Sequence, residues 1–304
     1  SLKAGSADSL NFKLWEGDCK DPITDNRFIG LFKITGKDFS DGAISAGAEL
    51  HCEYEILDSG QIVLGVSVPS ISGSFHSGRN FYSRQEGQID YTKAAKLLQE
   101  QANQVQDRLD EMVSKIDDPR LVETRERLSR AETAVGLMDP ETTKQALDDI
   151  QQLKRLLAET RQAHLKTIRQ LELDKVVTFF QEHVRSHARP SEISTFENLA
   201  KTAESVIMRS SNTFESHLDE LRGKNFLILW RQDWFVIDRF KMLAEAAHLY
   251  PDCQEHAQLV AAGIEALKAS DMDKVRHIVG QLDDARIGTA ADDDMVASTN
   301  IVLG

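Results

Sequence analysis

Apolar and polar positions alternate with a period of two in several short stretches before residue 70, and with a period near 3.6 along most of the chain beyond residue 90. The period-two stretches are Leu10 to Trp15, Phe28 to Thr35, Glu49 to Ile56 and Ile62 to Val68, and they predict half-buried antiparallel strands. In the second, Phe28, Gly30, Phe32 and Ile34 share one face. Asp58, Ser59 and Gly60 separate the third and fourth and suit a tight turn, which predicts a hairpin. So few strands cannot close a sandwich or barrel, and a small sheet alone leaves an apolar face in water. Something must cover that face, or part of the sheet is missing.

Ser and Gly dominate from Ile71 to Gln88, predicting a linker with apolar anchors at Phe75, Phe81 and Tyr82. Beyond it Leu98, Ala102, Val105, Leu109, Met112 and Ile116 recur at spacings of four and three, a seam suited to helix pairing within the chain or to dimerisation. Asp117 to Arg120 supplies a stop, with Pro119 placed to open a short helix that runs to about Leu137. Asp139 then precedes Pro140 as an N-cap, and no Gly or Pro occurs after it until Pro190. One helix of nearly 70 Å is predicted there, with a bend or a change of packing partner where its apolar stripe drifts. After Pro190 the pattern predicts helices at about 191–209, 212–222, 224–249, 252–269 and 271–282, with short loops that favour an antiparallel bundle.

The predicted fold class is therefore α+β, a small antiparallel sheet followed by long helices and an all-α bundle. The predicted organisation is a β-region over 1–70, a linker over 71–90, long helices over 91–189, a helical bundle over 190–288 and an acidic then apolar tail over 289–304. The formal net charge of -13 and a pI near 5.2 disfavour nucleic acid and anionic lipid as partners. The densest apolar run, Phe226 to Trp230, is far too short for a membrane span. The start "SLKAGSADSL" has neither an initiator Met nor the pattern of a signal peptide, which suggests a piece of a longer protein. Cys19, Cys52 and Cys253 are an odd number and far apart, as expected of reduced thiols in a cytoplasm.

Three stretches carry a family resemblance. "NRFIGLFKITG", Asn26 to Gly36, resembles the strand of the substrate-binding domain of heat-shock 70, or DnaK-type, chaperones, in which Asn precedes an apolar-Gly-x-Phe strand ending at Gly. "LWEGD", Leu14 to Asp18, is similar to the strand end and Gly turn before it. "LHCEYEILDSGQIVLGVSV", Leu50 to Val68, is similar to the family's next hairpin. The resemblance covers roughly residues 8 to 70 and implies the second half of a β-sandwich cut through its middle, with the first half and the nucleotide-binding domain outside this chain.

The resemblance further implies a helical lid after the sandwich, unfolded or extended polypeptides as clients, J-domain-type co-chaperones as partners, and ATP with Mg in the parent protein only. No catalytic residue and no cofactor are expected in this chain. Leu50 matches the family position that lines the floor of the peptide pocket; as a residue it reads equally as a sandwich-core leucine. The chain departs from the family in a helical region much longer than the family's lid, and in "KDFSDGAISAGA", Lys37 to Ala48, where the family has a Pro-rich loop.

Other candidates come from the residues alone. "NFLILWRQDWFVIDRF", Asn225 to Phe240, is apolar around much of a helix and predicts either the centre of the bundle or a partner surface at Phe226, Trp230 and Trp234. His183 and His187 are four apart on a predicted helix but lack a third ligand, so a solvated helix end is expected and no metal. Cys253 with His256 lacks a second ligand pair, and Asp292 to Asp294 lack the alternation of a calcium loop. The function the resemblance implies is the substrate-binding and lid part of a DnaK-like chaperone. The alternative is a helical scaffold or adaptor that recruits a partner or self-assembles.

Overall fold

The computed structural model describes residues 1–6, 8–17, 26–58, 62–77, 95–134, 140–208 and 213–287. Among them the chain is α+β, with small open antiparallel sheets followed by helices. Strand β1 (Leu2–Lys3) pairs with β4 (Ala43–Ile44), and β2 (Ser9–Glu16) pairs with β3 (Arg27–Thr35). The third sheet has the order β5 (His51–Ile56), β6 (Ile62–Val68), β7 (Gly73–His76).

The alternating stretches thus form strands as expected, β5 and β6 as an antiparallel pair. The bridges β1 and β4 are too short to show a period. Strand β7 lies where a linker was expected: Phe75 is its single apolar anchor and sits opposite Val66. Ser77 extends the pairing, since its Oγ accepts from the Leu64 amide and its amide donates to the Leu64 carbonyl, both at 2.8 Å. Phe81 and Tyr82 lie outside the described residues. Ile34, Val66 and Val68 are fully buried at the centre of the β core, with Leu2, Phe32, Ile44, Ile62 and Leu64 around them.

The helices are α1 (Ala95–Val113), α2 (Pro119–Ala134), α3 (Pro140–Ala163), α4 (Leu165–Phe179), α5 (Pro190–Val206), α6 (Thr213–Trp230), α7 (Asp233–Glu245), α8 (Cys253–Lys268) and α9 (Met272–Ala285). Every residue of the seam from Leu98 to Ile116 is buried, and it packs against α2 and α3. The seam is used within the chain. Helices α4, α5 and α6 share a second core around Phe180, Phe196 and Phe214, so α4 packs with elements on the far side of Pro190. Helices α7, α8 and α9 form a third around Val236, Val275 and Leu282.

Two helix expectations need correction. The single helix expected between Pro140 and Pro190 breaks at His164, and α4 ends in a π turn (Phe180–Val184) and a 3-10 turn (Arg185–His187). The helix expected at 224–249 is instead the second half of α6 plus α7. Gly223 is buried inside α6 and does not end it. The chain breaks at Gln232 because α9 holds the end of α6: Arg276 Nε donates to the Trp230 carbonyl at 3.3 Å and its Nη2 to the Arg231 carbonyl at 3.4 Å. Asp252 and Asp271 cap α8 and α9 by accepting from the Gln254 and Glu255 amides and from the Lys274 amide.

Candidate functional site

The feature with most chemical consequence is the outer strand β5. In the pairing register Cys52 lies opposite Val66, Tyr54 opposite Leu64 and Ile56 opposite Ile62. Directly opposed residues point to the same side of a sheet, so Cys52, Tyr54 and Ile56 continue the apolar face of β6. On β6 that face is buried, with Leu64 only 7% exposed. On β5 it lies in water: Tyr54 is 74% and Ile56 63% exposed, and Cys52 is an exposed free thiol.

His51, Glu53 and Glu55 occupy the other side of β5 and are exposed as well. Among the described residues no strand pairs with the outer edge of β5. Such an edge offers backbone donors and acceptors to an added strand, and here it also offers an apolar half-face. Leu50, just before β5, is half-buried and packs against the β core.

The aromatic candidates separate. Phe226 is buried, stacked on Trp230 at 5.2 Å and edge-on to Phe235 at 6.0 Å, so it cannot belong to a partner surface. Trp230 is half-buried between the second and third cores. Only Trp234 is substantially exposed, beside the His187 ring at 5.8 Å. The break at Gln232 puts the two tryptophans on different helices, which divides the expected patch.

His183 and His187 do not form a pair. The π turn widens the helix at His183, which lies against the Phe179 ring at 5.1 Å, while His187 turns to Trp234. Cys253 is exposed in the first turn of α8, whereas His256 is buried and its Nε2 donates to the Leu243 carbonyl at 3.0 Å. Among the described residues no group of three or more His, Cys, Asp and Glu could hold a metal. Asp292 to Asp294 lie outside the described residues.

Two polar clusters had no sequence signal, because each is completed by a residue distant in the chain, His164 in the first and Glu215 in the second. At the first, Arg120 grips the Asp118 carboxylate with Nε at 2.9 Å and Nη2 at 2.7 Å, and His164 Nε2 lies 2.9 Å from the same group. The Arg120 guanidinium holds the Asp118 carboxyl well below the usual carboxylate range, against the effect of its burial. This cluster fastens the α3–α4 break to the start of α2, beside an open cleft of about 420 Å³ lined by Val113, Leu121, Val122 and Arg125 among others. At the second, the nearly buried Arg161 and Arg169 share Glu215, and Arg161 also bonds Glu172. Arg169 further donates to the Ile207 carbonyl at 2.9 Å and lies over the Phe214 ring. Both clusters join helices and neither presents a nucleophile or a metal site.

No protein-family model, curated protein or solved structure matches the chain. Among the described residues no helix is long and apolar enough to cross a membrane.

Proposed function

We propose that this chain is the C-terminal part of a DnaK-type chaperone, comprising the second half of its substrate-binding β-sandwich and an enlarged helical region. In this reading the complete sandwich captures an extended, unfolded polypeptide in the cytoplasm. ATP and Mg act in a separate domain of the parent protein, where J-domain-type co-chaperones stimulate turnover. The observation that carries the reading is β5. An outer strand whose apolar residues lie in water, while the same face is buried on its neighbour β6, is what remains when the part of the sandwich beyond it is absent, and the first half of the sandwich would supply that part. The motif resemblance over residues 8 to 70 points the same way.

A scaffold role is the second reading, and exposed Trp234 is the feature that favours it. Fluorescence anisotropy of a labelled, extended apolar peptide separates the two. The chaperone reading expects binding by the longer parent protein, weakened by ATP, and little binding by this chain alone. Equal, nucleotide-insensitive binding by both would contradict it.

A further inference from the structure

The β core and the core of α7, α8 and α9 come together without merging. The β core is built from residues between Leu2 and Phe75, and the helical core from residues between Trp230 and Ala285. Charged groups make the junction between them. Lys13 on β2 donates to the Asp283 carbonyl in the last turn of α9 at 3.1 Å, and Lys33 on β3 pairs with Glu255 in the first turn of α8 at 2.5 Å. His277 of α9 lies 3.8 Å from Asp8.

The sheet register explains why both lysines reach the helices. Asn11 lies opposite Lys33 and Lys13 opposite Leu31, so Asn11, Lys13, Leu31 and Lys33 share one face of the β2–β3 pair. Lys13 meets the end of a helix where free carbonyls favour a cation. The Asp283 carboxylate is already engaged by Arg239 and Arg286, which leaves its carbonyl for Lys13.

The same junction holds features that oppose docking. Burial pushes the Lys13 ammonium down and Arg286 adds to the effect, while Asp284 and Asp283 offset it. Asn11 Oδ1 on the docking face is buried without a hydrogen-bond partner. Interfaces of this kind, charged and not joined by a shared hydrophobic core, separate more readily than the units they connect.

We propose that the β2–β3 pair and the α8–α9 pair form a reversible, salt-labile clasp, with Lys13 and Lys33 holding the sheet on the C-terminal bundle. The two units separate as folded bodies when the lysines are screened or competed away. Separation uncovers Leu31 and Asn11 on the sheet and the opposed ends of α8 and α9. The clasp does not depend on what the sheet binds.

The chain carries its own reporters, since Cys52 on β5 and Cys253 on α8 are exposed thiols on the two units. With Cys19 replaced by Ser, nitroxides on these two cysteines give the distance distribution by pulsed electron paramagnetic resonance. At low salt one narrow distance distribution, that of the docked state, is expected. Near 1 M salt, where the screening length falls to about 3 Å, a longer population is expected, with the ratio of separated to docked molecules raised about tenfold. Lys33→Glu raises that population at low salt, and adding Glu255→Lys to it restores the docked distance. A single unchanged distance throughout the salt series overturns the clasp. Separation that Glu255→Lys fails to reverse overturns the assignment to the Lys33 pair. Far-UV circular dichroism that stays constant identifies separation of folded units rather than unfolding.

Discussion

Tyr54 and Leu64 face each other across the β5–β6 pair, yet Leu64 is 7% exposed and Tyr54 is 74% exposed. Two residues in register on one face therefore differ almost completely in what folding does for them. In this chain Leu64→Ala is expected to cost about 2–5 kcal/mol, as for other buried leucines. Tyr54→Thr keeps a good strand former in water and is expected to change stability by less than about 0.5 kcal/mol. Urea unfolding of the two variants checks the contrast.

Gly263 of α8 is buried against α7, and a Cβ there would come 2.1 Å from Phe240 Cε2. Alanine normally improves a helix by about 1 kcal/mol over glycine, but here the ring must move within a packed core. Gly263→Ala is expected to destabilise by about 1–3 kcal/mol. Adding Phe240→Leu recovers part of that loss, which thermal unfolding of the single and double variants would reveal.

Glu215 is the shared anion of two arginines whose side chains are 4% and 3% exposed. Removing it takes away the carboxylate that Arg169 grips with Nε and Nη2 and one of the two that Arg161 holds, at the junction of α3, α4 and α6. Glu215→Ala is expected to cost about 3 kcal/mol, the scale seen when one member of a buried ion pair is lost. Denaturant unfolding measures it, and hydrogen exchange should show the loosening first at the start of α6.

Arg231 lowers the Glu192 carboxyl to about 2, with help from the Arg189 amide, and Arg120 likewise depresses Asp118. A carboxylate whose pKa is lower in the folded state adds stability that is fully present above its unfolded value near 4 and is lost as pH falls through the folded one. Both Glu192 and Arg231 are partly exposed, so solvent screening limits that pair to less than about 1 kcal/mol. Stability is expected to fall between about pH 4.5 and 2. Glu192→Gln flattens part of that slope, and stability measured across this range tests it.

The legible parts of the fold are those fixed by neighbours in sequence. Alternation announces β2, β3, β5 and β6, and Pro119, Pro140 and Pro190 each open a helix as expected. The seam from Leu98 to Ile116 is legible residue for residue. What the pattern misses depends on distant partners. His164 breaks a run without Gly or Pro while its ring engages Asp118, and Gln232 ends a continuous apolar run because Arg276 of α9 takes the α6 carbonyls. Of the two alternatives for that segment Phe226 takes the bundle centre, and the second break leaves Trp234 exposed on a separate helix. The open edge of β5 is only half legible: the alternation predicts the strand and a shortage of strands, but not which edge stays bare.

If the chain is the second half of a DnaK-type sandwich, as proposed, the bare face of β5 is covered in a longer parent protein by the first half. Cys52 lies on that face and is exposed here. With Cys19 and Cys253 replaced by Ser, the rate at which Cys52 reacts with a thiol reagent is measured in this chain and in the longer parent. The account predicts rapid labelling in this chain and at least about a hundredfold protection in the parent, the scale set by a few kcal/mol of local opening. Equal rates in the two proteins would contradict it.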